Sequence, residues 1–310
     1  MADIVVAIPT FRRPQGLARL LRALEDLRTD AKLLVLVADN DAQNTQGLDV
    51  AGALVRAGYR WPLEAIVVAE RGISQTRNAL VAHALARSDG DILLAMLDDD
   101  EWPTPLWLER LLAVRRDTGA DIVQGPVLCR FAHEPREWAR LSNTTQAPRA
   151  GSGPIARADA GGNVLIASPC LARAGTPWFD PQFGLTGGED KDFFMHMARH
   201  GARFAWAEDA IAYTSIPASR MTLGWALLRA FRAGNCDLRI TRKYDRSAAT
   251  LARESAKLAG ALIASPLDFL VHIADPPRRV RAAFTLARAL GKAAAQFGGE
   301  YREYRRTHGV

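Results

Sequence analysis

Two clusters of acids define the chemistry this chain could do. The first is Asp98-Asp99-Asp100-Glu101, which ends the apolar run Ile92-Leu-Leu-Ala-Met-Leu97. Four carboxylates this close repel one another and call for a cation. Their hard oxygens suit Mg²⁺ or Mn²⁺, ions commonly shared with substrate phosphates. The competing reading is a strand-to-helix turn, with an acid capping a helix that starts near Pro103-Thr104-Pro105. One Asp would suffice for that. The second cluster is Glu189-Asp190, preceded by Gly187-Gly188 and followed by Asp192. Glycines let backbone approach a ligand closely, and a carboxylate pair beside them offers a general base. Here too an acid, Asp190 or Asp192, could instead cap the next helix.

Cations and amides stand at other points of the chain. Arg12 and Arg13 follow the first apolar run, and Arg71-Gly72-Ile73-Ser74 leads into a segment bearing Arg77-Asn78. Ser74 is the expected helix N-cap, and helix N-termini attract phosphate. Arginine supplies bidentate donors to phosphate or to a flat base. The alternative is that these arginines form surface ion pairs. Asp39-Asn40 could hydrogen-bond a base or ribose, or could simply form a turn.

These residues need elements to position them. Apolar, β-branched runs predict strands over 4–8, 33–38, 63–68, 92–97 and 122–127. Between them, apolar residues spaced three and four apart predict helices over 16–27, 46–57, 74–86 and 106–116. Continuous rather than alternating apolar strands suit a buried parallel sheet. Strand and helix in alternation predict an α/β fold around a mostly parallel sheet, with ligands outside the carboxyl ends of the strands. Those ends are Pro9-Thr10, Asp39-Asn40, Glu70-Arg71 and Asp98–Glu101, which should converge on one edge. Residues 130–162 have little periodicity and read as a long functional loop or lid. Further on, 164–167, 203–206 and 211–213 read as strands and 193–200 as a helix. From Thr222 the pattern is helical (222–233, 248–263 and 278–297), interrupted at Pro266 and Pro276-Pro277.

The bulk numbers are those of a water-soluble chain: 48% hydrophobic and 24% charged over 310 residues. Cys129, Cys170 and Cys236 have no pairable spacing, which argues for a reducing compartment and against a zinc or disulfide framework. Met1-Ala-Asp-Ile-Val-Val runs straight into a strand pattern, and no apolar run reaches the roughly 18 residues of a spanning helix. The expected location is cytoplasmic. From Ala218 onward there are 17 Lys and Arg against 7 Asp and Glu, whereas the rest has 23 against 27. A basic tail on a mildly acidic body points to an anionic surface, and basic amphipathic helices can lie on a membrane. The other reading is that these helices pack on the body or on a second subunit. The tail has no nucleic-acid-reading motif or aromatic platform.

Five motifs in order carry a family resemblance: Ile8-Pro9-Thr10-Phe11-Arg12-Arg13-Pro14; Ala38-Asp39-Asn40; Arg71-Gly72-Ile-Ser-Gln-Thr-Arg77-Asn78; Leu97-Asp98-Asp99-Asp100-Glu101-Trp102-Pro103; and Gly187-Gly188-Glu189-Asp190-Lys-Asp192-Phe193-Phe194. Over about residues 4–215 the chain resembles a family 2 glycosyltransferase of the GT-A fold. Asp-Asp-Asp-Glu-Trp-Pro and the tail Arg220-Met-Thr-Leu-Gly-Trp225 are most like the succinoglycan-type exopolysaccharide glucosyltransferases.

The resemblance implies a catalytic unit over 1–217, with a nucleotide-sugar half to about 128 and an acceptor half beyond it, then a basic helical region over 218–310. It implies that Thr10, Arg12 and Asp39 meet the nucleobase, and that Arg77 lies near the donor. Pro9, Asn40, Arg71, Gly72, Asn78, Asp98 and Asp99 also fall on the donor side. Asp98 and Asp100 would hold a divalent metal, Mn²⁺ or Mg²⁺, with Asp100 the closest ligand. Asp190 would be the general base, with Glu189 assisting in acceptor or donor contacts and Gly187, Gly188 and Asp192 on the acceptor side. Relatives often carry a histidine near the position of Tyr213, where this chain has Thr214 and Ser215. Processive synthases carry Gln-x-x-Arg-Trp, which is absent here, so the implied reaction is transfer of a single sugar. Two rivals stay open, a nucleotidyltransferase of related fold and a catalytically inactive scaffold.

Overall fold

The computed structural model describes residues 3–87, 90–136, 138–140, 151–158 and 161–301. Much of the lid expected over 130–162 therefore lies outside the described residues. The order begins β1 (Ile4–Thr10), α1 (Pro14–Glu25), β2 (Leu33–Asp39), α2 (Gln46–Arg56), β3 (Leu63–Val67), α3 (Ile73–Ala86) and β4 (Leu93–Met96). All seven residues of β1 and of β2 are buried, as continuous apolar runs require. Parallel pairing sets Thr10 beside Asp39, so β1 and β2 end level, while β4 ends at Met96 beside Ala7, three residues short, and leads straight into the acidic turn. Val68 donates its N–H to Asp39 O at 2.8 Å, bringing the β3 end to the same edge.

The larger sheet runs β3-β2-β1-β4-β9-β6-β10-β8, where β6 is Ile122–Gln124, β8 Gly153–Ile155, β9 Val164–Ala167 and β10 Phe204–Trp206. It is parallel from β3 to β4, while β9 and β8 run antiparallel to their neighbours. A smaller sheet, β5-β11-β7, is built from Glu101–Pro103, Ala212–Ile216 and Val127–Phe131. The strand expected over 122–127 thus divides between the two sheets, at Gly125-Pro126. Proline cannot donate to a ladder, and buried Asn163 fills the gap. Its amide donates to Pro126 O and Ala210 O at 2.7 and 2.8 Å and accepts from Trp107 Nε1 at 2.6 Å.

The remaining helices are α4 (Trp107–Thr118), α5 (Ser168–Ala174), α6 (Glu189–Arg199), α7 (Leu223–Tyr244), α8 (Ala248–Val271) and α9 (Pro276–Gln296). Helix α5 is not expected from the sequence, and three others depart clearly from expectation. Helix α6 starts four residues early, so Glu189 and Asp190 form its first turn instead of ending a loop. Helix α7 continues eleven residues past Ala233. Pro266 lies inside α8 without ending it; only Pro276 marks a boundary, at a helix start where its missing N–H costs nothing. Helix α7 packs on the start of α6. Lys191 pairs with Asp237, Lys243 Nζ reaches Asp192 and Asp180 at 2.7 Å, and Arg239 donates to Thr186 Oγ1 at 2.9 Å. The basic region is therefore a brace on the second acidic cluster.

Candidate active site

The acidic turn is a graded structure. Asp99 and Glu101 are buried, while Asp98 and Asp100 are partly exposed. Asp99 accepts from Thr10 Oγ1 at 2.9 Å and from Arg13 Nη1 at 3.0 Å, locking the turn to the end of β1. Burial pushes its carboxyl up to about 6 against the pull of Arg13. Glu101 accepts the Asp98 N–H at 3.2 Å. Burial first, then the charges of Asp98 and Asp100, hold the Glu101 carboxyl well above the usual range. Both oxygens of Asp99 are thus engaged within the protein, one by Thr10 and one by Arg13.

The exposed pair meets arginines. Arg13 and Arg220 reach Asp100 Oδ2 at 2.9 and 3.2 Å, and Arg77 reaches Asp98 Oδ1 at 2.8 Å. Strand β11 sets Thr214 opposite Glu101, and Ser215 donates its N–H to Asp100 O at 3.4 Å. The segment where relatives often place a histidine therefore does adjoin the turn, with a hydroxyl in place of an imidazole.

Arg77 joins the two clusters. It is 2% exposed and lies with its guanidinium 5.6 Å from the Phe179 ring centre. It pairs with Asp98, with Glu189 Oε1 at 3.4 Å, and with Asp190. An arginine can be buried when its fork is matched by carboxylates. Burial raises the Glu189 carboxyl, and Arg77 opposes the shift. Asp98 and Asp190, about ninety residues apart in sequence, thus share one cation. The resemblance put Arg77 near donor; the structure spends its side chain on the acids.

The turn into α6 requires its glycines. Gly187 and Gly188 have φ of +75° and +91°, which strains any L-residue. A Cβ on Gly188 would also lie 2.9 Å from Cys236 Cβ. No acid caps α6: Gly188 takes the N-cap position. Asp192 is 1% exposed and held by Lys243, so its carboxylate anchors α7 from a buried position. Ser74 likewise is no cap. Gly72 occupies that position in α3, and the Ser74 hydroxyl is buried in the first turn.

The donor-side residues divide. Asp39 is 1% exposed and accepts from the Asp41 and Gly47 N–H groups at 2.9 and 2.7 Å. Asn40 binds Val68 O, Glu70 O and Gly72 N–H. Asn78 exchanges two hydrogen bonds with the Phe179 backbone. These side chains hold loops together, with Pro9 and Gly72 in the backbone between them. Arg12 pairs with Asp41 at 2.7 Å. Arg12 and Arg71 both lie over Phe11, at 5.0 and 4.7 Å, making a rim of one ring and two guanidinium groups.

Sequence reasoning missed Gly161 and Gly162. A Cβ on Gly161 would collide with Asp190 and Arg77, and one on Gly162 would lie 2.6 Å from Glu101 Oε2. The paired glycines were the available signal, the same one that marked Gly187-Gly188. Phe11 and Arg220 also stood inside quoted motifs without a role.

Among the described residues, no three His, Cys, Asp or Glu side chains are grouped to hold a metal ion. Asp98 and Asp100 each give one oxygen to arginine and keep one without a hydrogen bond among the described residues. Two open carboxylate oxygens fit a Mg²⁺-type ion completed by phosphate and water, and do not fit a closed protein cage.

A parallel sheet whose strand ends gather two acidic clusters and a ring of arginines defines a GT-A-type transferase fold. The chain belongs to glycosyl transferase family 2, whose family model matches residues 5–172. It is 34% identical over 234 residues to the succinoglycan biosynthesis protein ExoM of Rhizobium meliloti, covering 74% of this chain and 72% of that protein. Residues 1–349 of S. aureus TarS share the fold with a TM-score of 0.55 at 13% identity, over 97% of this chain and 93% of that one. The same TarS segment has been solved with UDP, at a TM-score of 0.54, 13% identity and the same coverage.

Proposed function

We propose that this glycosyltransferase moves one sugar, with inversion, from a nucleotide-diphospho-sugar to a glycan or lipid-linked glycan during bacterial surface or exopolysaccharide synthesis. A UDP-sugar is the donor favoured by the likeness to a UDP-binding fold and to an exopolysaccharide protein. The observation that carries the reading is the single buried Arg77 linking Asp98 to Asp190. On this reading the acid that holds the diphosphate and the base share one buried cation. Inversion needs one base to take the acceptor hydroxyl proton, and Asp190, partly exposed at the start of α6, is that base. Glu189 keeps it oriented through Arg77. Asp98 and Asp100 would hold Mn²⁺ or Mg²⁺, which supplies charge neutralisation for the departing diphosphate. Arg13 and Arg220 add cations at the same place. The rim of Phe11, Arg12 and Arg71 lies over the base, with Thr10 and Asp39 behind it. The catalytic unit ends near 217, and the basic region from 218 brings a cytoplasmic enzyme to the inner face of the membrane.

The test is a panel of UDP- and GDP-sugars scored for nucleotide release with Mn²⁺, with Mg²⁺ and with chelator. Metal-stimulated UDP release from one sugar is expected. No release from any donor would leave a binding scaffold as the better reading.

A further inference from the structure

Helix α8 is long and apolar, yet of its 24 residues only Thr250 and Ser265 are buried. It packs on α9, and α9 packs on α7. Toward its far end and through the turn to α9, large apolar side chains face solvent: Ile263 66%, Leu267 58%, Leu270 62%, Val271 77% and Ile273 56% exposed. Contiguous exposure on this scale marks an interaction surface. No helix among the described residues is long and apolar enough to cross a membrane.

Charge identifies what meets it. Arg278, Arg279 and Arg281 occupy the first two turns of α9, directly after the tip. The two acids nearby are already engaged. Asp268 contacts His272 at 2.9 Å, while Asp275 caps α9 and pairs with Arg278. The other basic groups of α9 are turned inward, Arg288 to Asp237 and Lys292 to Glu254. Arg278 also meets His272 Nε2 at 3.1 Å, and Arg279 donates to Ile273 O at 2.8 Å, so the arginine collar is tied to the tip itself. A second copy would bring another +10 region against this one, which like-charge repulsion disfavours. A bilayer rich in acidic lipid offers an apolar layer beneath anionic headgroups, which matches tip and collar together.

We infer that residues 263–273 form a membrane-docking tip, inserted between acidic lipid headgroups with Arg278, Arg279 and Arg281 at headgroup level. This rests on the membrane reading above and names the element and lipid charge responsible. The test is flotation of the full chain with phosphatidylcholine vesicles, with and without phosphatidylglycerol. The companion variant is Leu267→Ser/Leu270→Ser/Val271→Ser, whose sites are exposed, with UDP binding as the folding control. The wild type should float only with acidic vesicles, and the variant should lose more than about tenfold of that binding at unchanged UDP affinity. A variant that floats like wild type overturns the tip while leaving the membrane reading standing. A wild type that floats with neither vesicle overturns both. A wild type that is oligomeric in light scattering, beside a monomeric variant, assigns the tip to self-association and overturns the lipid inference.

Discussion

The two halves of this molecule break opposite rules. The catalytic unit buries charge: Arg77, Asp39, Asp99, Glu101, Glu189 and Asp192 are all nearly inaccessible. The C-terminal helices expose apolar surface and match their carboxylates with nearby cations and hydroxyls. The carboxyls follow the same split. Burial raises Asp99, Glu101, Glu189 and Asp192. On the C-terminal helices, hydrogen bonds from Lys292 and Lys257 hold Glu254 down to about 2, and those from Thr250 and Ser247 do the same for Asp245. Charges buried together are costly unless their geometry is fixed, and fixed geometry is what a transfer site requires. Surface pairs cost little and secure little. The first broken rule coincides with the proposed diphosphate site and the second with the proposed lipid-docking tip.

The comparison can be broken from either side. The largest effect is expected from Asp190→Asn, which should cut transfer by about 10²–10⁴-fold while UDP affinity stays within a few-fold. Near-normal turnover would remove Asp190 as base. Arg77→Ala should cost about 3–5 kcal/mol in denaturant unfolding, because it strands Glu189 and Asp98 without their cation. Arg77→Lys should recover part of the stability and less of the rate, since lysine keeps the charge but not the fork. Equal recovery of both would make Arg77 merely structural.

Asp100→Ala should erase the increment that Mn²⁺ adds to UDP affinity in calorimetry; an unchanged increment would place the metal elsewhere. Glu189→Gln probes the buried side through pH. A carboxyl raised by burial contributes stability below its ordinary pKa and loses it as pH rises through the raised value. The variant should therefore melt with a weaker decline toward neutral pH than wild type. Glu254→Gln probes the C-terminal helices and should show the smallest effect, with the opposite sign. A depressed carboxyl contributes above its ordinary 4.5 and loses that as pH falls toward about 2. The gap in melting temperature between wild type and variant should be small and shrink below about pH 4.5.

Much of the sheet was legible because strands buried on both faces leave continuous apolar runs, whether parallel or, like Val164–Ala167, antiparallel. Val164–Ala167 emerged with the expected bounds, and the strand ends do meet along one edge. The smaller sheet was not legible. Glu101–Pro103 looks like the start of a helix, and only pairing with β11 makes it a strand. Asn40 and Asn78 had the right chemistry for a ligand, but an amide side chain bonds equally well to backbone. Asp192 was misjudged because its partner Lys243 lies on a helix that sequence pattern ended eleven residues too soon.

By itself, the sequence determined which acids, arginines and glycines exist, the order of strands and helices, and the basic character of the last third. These are local properties, set by side-chain chemistry and by periodicity over a few turns. Only the tertiary structure decided how the acids share labour. Whether a carboxylate faces solvent, an arginine or a backbone N–H depends on chain segments ninety or more residues away. Arg77 carries that lesson, since nothing local to α3 says that its guanidinium closes the gap between Asp98 and Asp190. The apolar tip of α8 carries the converse: the same leucines would have been core had another element covered them.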